Sequence, residues 1–484
     1  MNKSKILKPL FIIVAVMFAI PSIIYLLQNK TVFLFNGYMN FFLNDTNKFI
    51  QVIAYIVLLT ILTILYFLII KNRKKIFKSS KSIYLFIGIF AFIFIFVLPF
   101  MSSDVFYYLG IGRLDSEYGQ NPYYTTILQF VDDNGGISNY IENDTVLIQG
   151  YANAWANTTV VYGPVWTFLC KIITGISFGN IDFALLIFKL ISVVLHILNC
   201  YLIYKITNKK IFVLIYGLNP FVLLEGIANA HNDLYIITFV LASLYFLLKK
   251  KNIWLSILFL AIATSIKYFT ILLLPFILIY HFRNEKILKR LAKCIIYGII
   301  FVIFIGVTYL IYFNDLTVFD GIFSQQDKVA KNIYVILNII DENLKSVQGL
   351  SGLVNMAAMF VFIITYFFTF IVNLVKDKIK FREEMNIANY FLLALIFILI
   401  TNFQPWYLMW LVPVMMWQKP ANLKLIIGIL IVSQFANAVF MLMGEAWQNG
   451  AIFVLCMLIG SLIYVAINKI NQKSKLLEKY NLIR

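Results

Sequence analysis

The chain has 484 residues, of which 62% are hydrophobic and only 13% are charged, and its mean hydropathy is +0.87. A water-soluble protein of this length cannot cover its surface with so few polar residues, so the composition excludes a soluble globular protein. The formal net charge of +18 is typical of nucleic-acid-binding proteins, but the cations stand in short clusters between apolar runs, and we therefore expect no nucleic-acid partner.

Apolar runs of about 20 residues recur along the whole chain, and each is long enough to cross roughly 30 Å of hydrocarbon. They predict an all-α, polytopic membrane protein with about 12–14 transmembrane helices in one domain, residues 1–484. The predicted spans are 9–27, 49–70, 82–101, 182–204, 211–228, 233–248, 253–266, 268–282, 294–313, 352–374, 386–402, 406–417, 424–442 and 450–467.

The distribution of charge predicts the orientation. Residues 71–81 carry six cations and no acid, whereas residues 102–163 carry acids along their length and the cation Arg113. Because basic loops stay in the cytoplasm, both termini are predicted to be cytoplasmic, and 102–163 and 314–351 become long outer loops. The first loop is rich in Tyr and Trp, which favours folded structure. Residues 164–178 are interpreted as a helix that lies on or re-enters the outer leaflet.

Asp104 lies just past the third predicted span, at the start of the acidic outer loop. A carboxylate at the rim of an apolar helix can be desolvated enough to act as a general base. The alternative is an ordinary helix-capping or solvated aspartate.

The segment Asn229-Ala-His231-Asn232-Asp233 forms the predicted outer turn between two spans. Ionisable groups near the membrane are costly and mostly functional, so His231 and Asp233 are candidates for binding a metal, a phosphate or a sugar hydroxyl. Alternatively, the turn satisfies its own backbone with Asn and Asp side chains. The chain has only three histidines and four isolated cysteines, which argues against a metal site built from several of them.

Lys267 interrupts an apolar stretch on the predicted outer side, against the general charge bias. A lone cation there suggests an anionic ligand such as a lipid phosphate, and the alternative is a lysine that snorkels to the headgroups. Gln404, Trp406 and Tyr407 lie at the predicted outer turn between the spans 386–402 and 406–417. They would suit a sugar ring or a lipid headgroup, although interfacial aromatic residues are also common without such a role.

These segments, in this order, resemble the GT-C superfamily of membrane glycosyltransferases. More narrowly, the chain is similar to the bacterial polyprenol-phosphate-mannose-dependent mannosyltransferases of α-1,6-mannan assembly. The segments that carry the resemblance are the Asp104 segment, Asn121-Pro122-Tyr123, Tyr162-Gly163-Pro164, Asn219-Pro220, His231-Asn232-Asp233, Ile266-Lys267-Tyr268 and Gln404-Pro405-Trp406-Tyr407.

The resemblance implies a GT-C fold and an inverting, single-displacement transfer of a sugar, with mannose suggested, on the outer face. The donor would be a polyprenyl-phosphate sugar, and the acceptor a cell-envelope glycan or lipid. Asp104 takes the position of the general base. Donor-binding roles are assigned to Lys267, Arg113, His231, Asp233 and Tyr268, and contacts with the sugar or acceptor to Asn121, Tyr123, Tyr162, Gln404, Trp406 and Tyr407.

The paired Asp-x-Asp or Glu-x-Asp of some superfamily members is missing, because Ser102 and Ser103 precede Asp104. We therefore expect no cofactor, and the sequence does not indicate a divalent metal. Two other functions stay open. One is a flippase or transporter of lipid-linked sugars, which usually has midplane charges and pseudo-symmetric halves. The other is a polymerase or ligase of surface polysaccharides.

Overall fold

The computed structural model describes residues 6–28, 48–137, 143–325, 328–344, 349–443 and 447–479. Parts of both predicted outer loops, 138–142, 326–327 and 345–348, lie outside the described residues. Within the described ranges the regular structure is helical, and an isolated bridge between Ala330 and Asn402 is the β-type pairing found there. The all-α prediction is confirmed.

The helices are, in chain order, α1 (Leu7–Gln28), α2 (Lys48–Ile76), α3 (Ser80–Ile93), α4 (Asp104–Ser116), α5 (Ile127–Asp133), α6 (Thr145–Tyr151), α7 (Pro164–Gly175), α8 (Ile181–Thr207), α9 (Lys210–Gly217), α10 (Pro220–Leu223), α11 (Asp233–Tyr245), α12 (Ile253–Thr264), α13 (Leu274–His281), α14 (Ile287–Tyr309), α15 (Asp320–Phe323), α16 (Ile333–Leu344), α17 (Leu350–Val375), α18 (Phe381–Ala394), α19 (Val412–Met415), α20 (Pro420–Met443) and α21 (Gly450–Lys479). Short 3₁₀ or π turns extend several of them, including Tyr268–Leu273, Leu395–Leu399 and Pro405–Leu411.

Six described helices, α1, α2, α8, α14, α17 and α20, are long and apolar enough to cross a membrane. A seventh crossing is obtained if the pair Lys210–Gly217 and Pro220–Ala228, bent by 53°, counts as one span. Large apolar side chains point outward from them, as Phe360 and Phe368 do from α17, and such a surface needs a lipid environment. The protein is therefore a polytopic helical membrane protein. The predicted count of 12–14 crossings stays a prediction, because the remaining apolar helices are short.

The segment that leads to Asp104 is extended rather than helical. The span predicted for 82–101 ends in a 3₁₀ turn at Phe96, because other parts of the chain satisfy the backbone beyond it. The Lys189 ammonium donates to the carbonyls of Ile95 and Val97, and the backbone N–H of Leu98 donates to Ser22. Buried backbone groups need such partners, so these contacts fix the path of the chain into α4.

The first predicted outer loop folds into α4, α5 and α6 and continues into α7. Glycines allow these helices to meet closely: a Cβ on Gly112 would lie 2.5 Å from the backbone of Cys170, and one on Gly110 would lie 2.7 Å from Cα of Gly150. Any side chain at Gly110 or Gly112 would push α4 away from its neighbours. The loop is thus a packed cap, as its aromatic content predicts.

The second long loop packs onto the first. A Cβ on Gly321 would lie 2.4 Å from the carbonyl oxygen of Val160, and Asn121 donates to the carbonyl of Tyr312 at 2.8 Å. The backbone N–H of Asn314 donates to the Tyr124 hydroxyl at 2.9 Å. Both loops therefore form one end of the molecule and enclose the candidate site.

Candidate active site

A cavity of about 300 Å³ opens beneath the two loops. Its walls come from segments far apart in the chain: α4, the two outer loops, the turn before Tyr268 and the segment around Gln404. The lining residues are Asp104, Tyr107, Trp155, Thr158, Val161, Tyr162, Lys267, Ile322, Gln325, Leu399, Ile400, Thr401, Asn402, Gln404, Trp406, Tyr407 and Trp410. Five predicted site residues other than Asp104 are among them: Tyr162, Lys267, Gln404, Trp406 and Tyr407.

Asp104 is the first residue of α4 and its side chain faces this cavity. The Tyr108 hydroxyl donates to its carboxylate over a long 3.4 Å. Loss of solvent raises the pKa of Asp104 to about 6, although the positive charge of Lys267 and a hydrogen bond from Ser102 act in the opposite direction. A carboxyl with this pKa is largely ionised at neutral pH and can still accept a proton, as a general base must.

Lys267 is not the lone cation that the sequence suggested. Its ammonium lies 3.1 Å and 3.4 Å from the two carboxylate oxygens of Asp233. It also lies 4.5 Å from the ring centre of Tyr407 and 5.3 Å from that of Trp410, within the range of cation–π attraction. With 14% of the side chain exposed, the ammonium is held inside the cavity wall, which disfavours the snorkelling alternative.

Asp233 has a different role from Asp104. It is fully buried at the start of α11, and its carboxylate accepts from the Lys267 ammonium and from the indole N–H of Trp410. Both carboxylate oxygens are thus occupied by donors of the protein, and Asp233 is not among the residues that line the cavity. The arrangement makes Asp233 the anchor of Lys267 and leaves Asp104 as the stronger candidate for a base.

His231 lies one layer behind the cavity. Its ring is fully buried and meets the indole of Trp406 edge to face, with 3.9 Å between ring centres. Burial lowers the pKa of His231 well below its usual range, and the charge of Lys267 acts in the same direction, so the ring is neutral. His231 therefore supports Trp406 and does not line the site.

Sequence reasoning missed a buried polar network below this turn. Glu225 accepts from Asn229 at 2.9 Å and from Gln434 at 2.5 Å. The side-chain oxygen of Asn229 in turn accepts from the backbone N–H groups of Phe100 and Met101. The network thus ties the Asn229–Asp233 turn to the extended segment before Asp104. The sequence did contain a signal for this network, because Glu225 is an acid inside the apolar span predicted for 211–228.

Four other predicted site residues lie away from the cavity lining. Arg113 is paired with Asp144 at 2.6 Å and with Glu117 at 3.1 Å, so its charge is neutralised inside the cap. Asn121 donates to the carbonyl of Tyr312, just before the second long loop, and the Tyr123 hydroxyl donates to the carbonyl of Tyr162 within the first loop. The Tyr268 hydroxyl shares a hydrogen bond with that of Tyr309 at 2.8 Å.

Among the described residues, no group of three or more His, Cys, Asp or Glu side chains is placed to hold a metal ion. The expectation that the protein uses no cofactor stays a prediction.

Comparison with known families gives a match over residues 12–283 to the family described as alpha-(1->6)-mannopyranosyltransferase, N-terminal domain. The matched part contains Asp104, Asp233 and Lys267, and it ends before the segment around Gln404. Alpha-(1->6)-mannopyranosyltransferase A of Corynebacterium glutamicum is 26% identical over 204 residues, which cover 40% of this chain and 39% of that protein. The chain therefore aligns with about two fifths of this relative's length. No solved structure matches.

Proposed function

Because this chain belongs to the alpha-(1->6)-mannopyranosyltransferase family, we propose that it is a glycosyltransferase that moves a sugar from a polyprenyl-phosphate donor to an acceptor. The acceptor is a cell-envelope glycan or lipid at the outer face of the membrane. Mannose is the sugar that the family description supports. The observation that carries the proposal is that Asp104, which forms no salt bridge among the described residues, and the anchored cation Lys267 line one aromatic-walled cavity.

A lipid-linked donor is supported by a groove that adjoins the cavity. This groove, between α17 and α18, has a volume of about 640 Å³ and is lined almost entirely by apolar side chains, among them Val361, Phe362 and Phe391. Leu399 lines both the groove and the cavity. A polyprenyl tail gains roughly 0.8 kcal/mol for each buried CH₂ group, so the tail lies in the groove while the phosphate and sugar enter the cavity.

In the proposed reaction, an acceptor hydroxyl attacks the anomeric carbon of the donor sugar and gives its proton to the Asp104 carboxylate. The new glycosidic bond forms as the bond from the anomeric carbon to the phosphate oxygen breaks, which inverts the configuration. The leaving polyprenyl phosphate gains negative charge, and the Lys267 ammonium stabilises it. Trp406 and Tyr407 pack against the sugar ring. Arg113 has no part in this step, since Asp144 and Glu117 neutralise it.

The proposal predicts transfer by the purified protein. With polyprenyl-phosphate mannose as donor and octyl mannoside as acceptor, we expect equal amounts of free polyprenyl phosphate and octyl dimannoside, detected by mass spectrometry. A nucleotide-linked mannose should give no product, because it has no tail for the groove. Movement of the donor across a vesicle membrane without release of polyprenyl phosphate would instead identify a transporter. A requirement for a diphosphate-linked donor would identify a polymerase or ligase.

The proposed orientation predicts how the protein is labelled in cells. The exposed residue Asp133 lies in the first outer loop, and the exposed Lys209 lies in a basic loop. Asp133→Cys should react with an impermeant maleimide in intact cells, whereas Lys209→Cys should react only after lysis. The native cysteines give little background, since three are buried and Cys456 is half-buried. The reverse pattern would place the cavity in the cytoplasm and contradict the proposal.

A further inference from the structure

A second cavity, of about 380 Å³, lies next to the first. It is lined by Phe100, Met101, Ser102, Ser103, Phe106, Gln149, Ala152, Asn153, Ala154, Lys331, Asn437, Phe440 and Met441. Ser103 lines this second cavity, while the adjacent Asp104 lines the first. The two cavities therefore meet at the start of α4, where the proposed base is located.

Lys331 is placed in this cavity by a short pairing between the second outer loop and the segment before Gln404. The backbone N–H of Ala330 donates to Thr401 at 3.0 Å, and that of Phe403 donates to Ala330 at 2.9 Å. Lys331 itself has a φ of 54°, a left-handed conformation that costs energy in a residue with a side chain. The pairing thus holds a strained residue with its cation in the second cavity.

The Lys331 ammonium connects the two cavities. It donates to Asn437 at 3.1 Å and to Gln404 at 3.4 Å, and it lies 4.3 Å from the ring centre of Phe440. Gln404 lines the first cavity, and Asn437 lines the second. A ligand that reaches Lys331 in the second cavity is therefore separated from the first by one side chain.

Asn437 supplies an independent sign that a ligand belongs here. Its side chain is 1% exposed, and its oxygen accepts from Lys331, but its amide nitrogen has no hydrogen-bond partner among the described residues. A buried donor without a partner costs about 1–3 kcal/mol. An oxygen atom of a ligand in the second cavity would satisfy it.

The lining defines the chemical class of that ligand. Amide, hydroxyl and ammonium donors stand beside the rings of Phe106 and Phe440, a combination that suits the hydroxyls and the apolar face of a neutral sugar. The donor is assigned to the first cavity, because the groove for its tail shares Leu399 with that cavity. None of the residues described as lining the groove also lines the second cavity, so the second cavity is left for another ligand. We propose that the second cavity binds a sugar unit of the acceptor, with Asn437 and Lys331 as hydroxyl-binding residues. This inference rests on the proposed glycosyltransferase function.

The test is the acceptor dependence of Asn437→Ala and Lys331→Met, with octyl mannobioside as the acceptor. Loss of one buried hydrogen bond is expected to raise the KM for the mannobioside about tenfold, equivalent to roughly 1.4 kcal/mol. The KM for polyprenyl-phosphate mannose should stay within about twofold of wild type. Asn389→Ala is the matched control, because Asn389 is an equally buried amide on α18, away from both cavities. This control should leave both KM values unchanged.

Equilibrium binding of the mannobioside without donor separates the two proposals. If the wild type binds the mannobioside more tightly than Asn437→Ala does but performs no transfer, the proposed function is wrong and the sugar site is supported. If the wild type transfers mannose and both variants keep the wild-type KM and affinity for the mannobioside, the sugar site is wrong. It is also wrong if inorganic phosphate, rather than the mannobioside, binds in a manner that depends on Asn437.

Discussion

Asp104→Asn is expected to lower the rate of sugar transfer by about 10²–10⁴-fold, the usual contribution of a general base. The amide keeps the shape of the side chain and cannot take the proton from the acceptor hydroxyl. The KM for the donor should change little, because Lys267 in the first cavity is proposed to bind the donor phosphate and the apolar groove to bind its tail. The measurement is release of polyprenyl phosphate at saturating donor and acceptor.

The other acids of the cap are less suited to the role of base. Asp115 accepts from Lys171 at 2.7 Å and from the Tyr312 hydroxyl at 2.8 Å. Asp144 is paired with Arg113, and Glu117 is exposed and paired with the same arginine. None of these three carboxylates lines the first cavity as described. Their replacement by the corresponding amides should therefore affect folding more than the chemical step.

The pH dependence gives a second readout of the same variant. The pKa of Asp104 is raised to about 6 by loss of solvent, and a general base works only when it is deprotonated. The rate of the wild type should therefore be constant above this pH and fall as the pH drops through about 6. The rate of Asp104→Asn should no longer fall as the pH drops through about 6. A variant that is merely unstable would have a lower rate at every pH but would still show this fall.

Lys267→Met is expected to lower kcat/KM for the donor by about 10²–10³-fold, the scale reported for loss of one group that stabilises transition-state charge. The ammonium is proposed to bind the donor phosphate and to stabilise the leaving group, so both KM and kcat should be affected. The measurement is steady-state kinetics with polyprenyl-phosphate mannose, together with the Tm of the purified variant.

A second variant is needed, because Lys267→Met leaves Asp233 buried without its cation. Breaking a buried ion pair costs about 3–5 kcal/mol, and this loss alone could reduce activity. The double variant Lys267→Met/Asp233→Asn removes both charges and should recover much of the lost Tm while its turnover stays low. If the double variant regained wild-type kinetics, Lys267 would have only a structural role.

Much of the helical framework could be predicted from the sequence. The spans predicted for 9–27 and 182–204 differ by one to three residues at each end from α1 and α8, since long apolar runs determine where a chain can cross a bilayer. The early end of the third span was not predictable, because it depends on Lys189 and Ser22, which are distant in sequence. The span predicted for 211–228 is broken between Gly217 and Pro220.

The candidate site was predictable only in part, because it too depends on contacts between residues that are distant in sequence. Asp104, Lys267 and Trp406 each interrupt a pattern or stand at a predicted helix end, and the fold brings them to one cavity. Arg113 gives the same signal in the sequence, yet it is neutralised by acids whose proximity depends on how the cap folds. Lys331 and Asn437 give no local signal, because their meeting requires the second outer loop to pack against α20.

The assignment of Asp104 as the general base is tested by the rate of polyprenyl phosphate release by Asp104→Asn and Asp233→Asn, measured side by side in the same lipid environment. Asp104 faces the cavity with a raised pKa, whereas Asp233 is held by Lys267 and Trp410. We predict that Asp104→Asn loses about 10²–10⁴-fold in rate, and that Asp233→Asn loses less and mainly through a higher KM for the donor. Near-normal transfer by Asp104→Asn, with transfer abolished in Asp233→Asn, would contradict the account and make Asp233 the base.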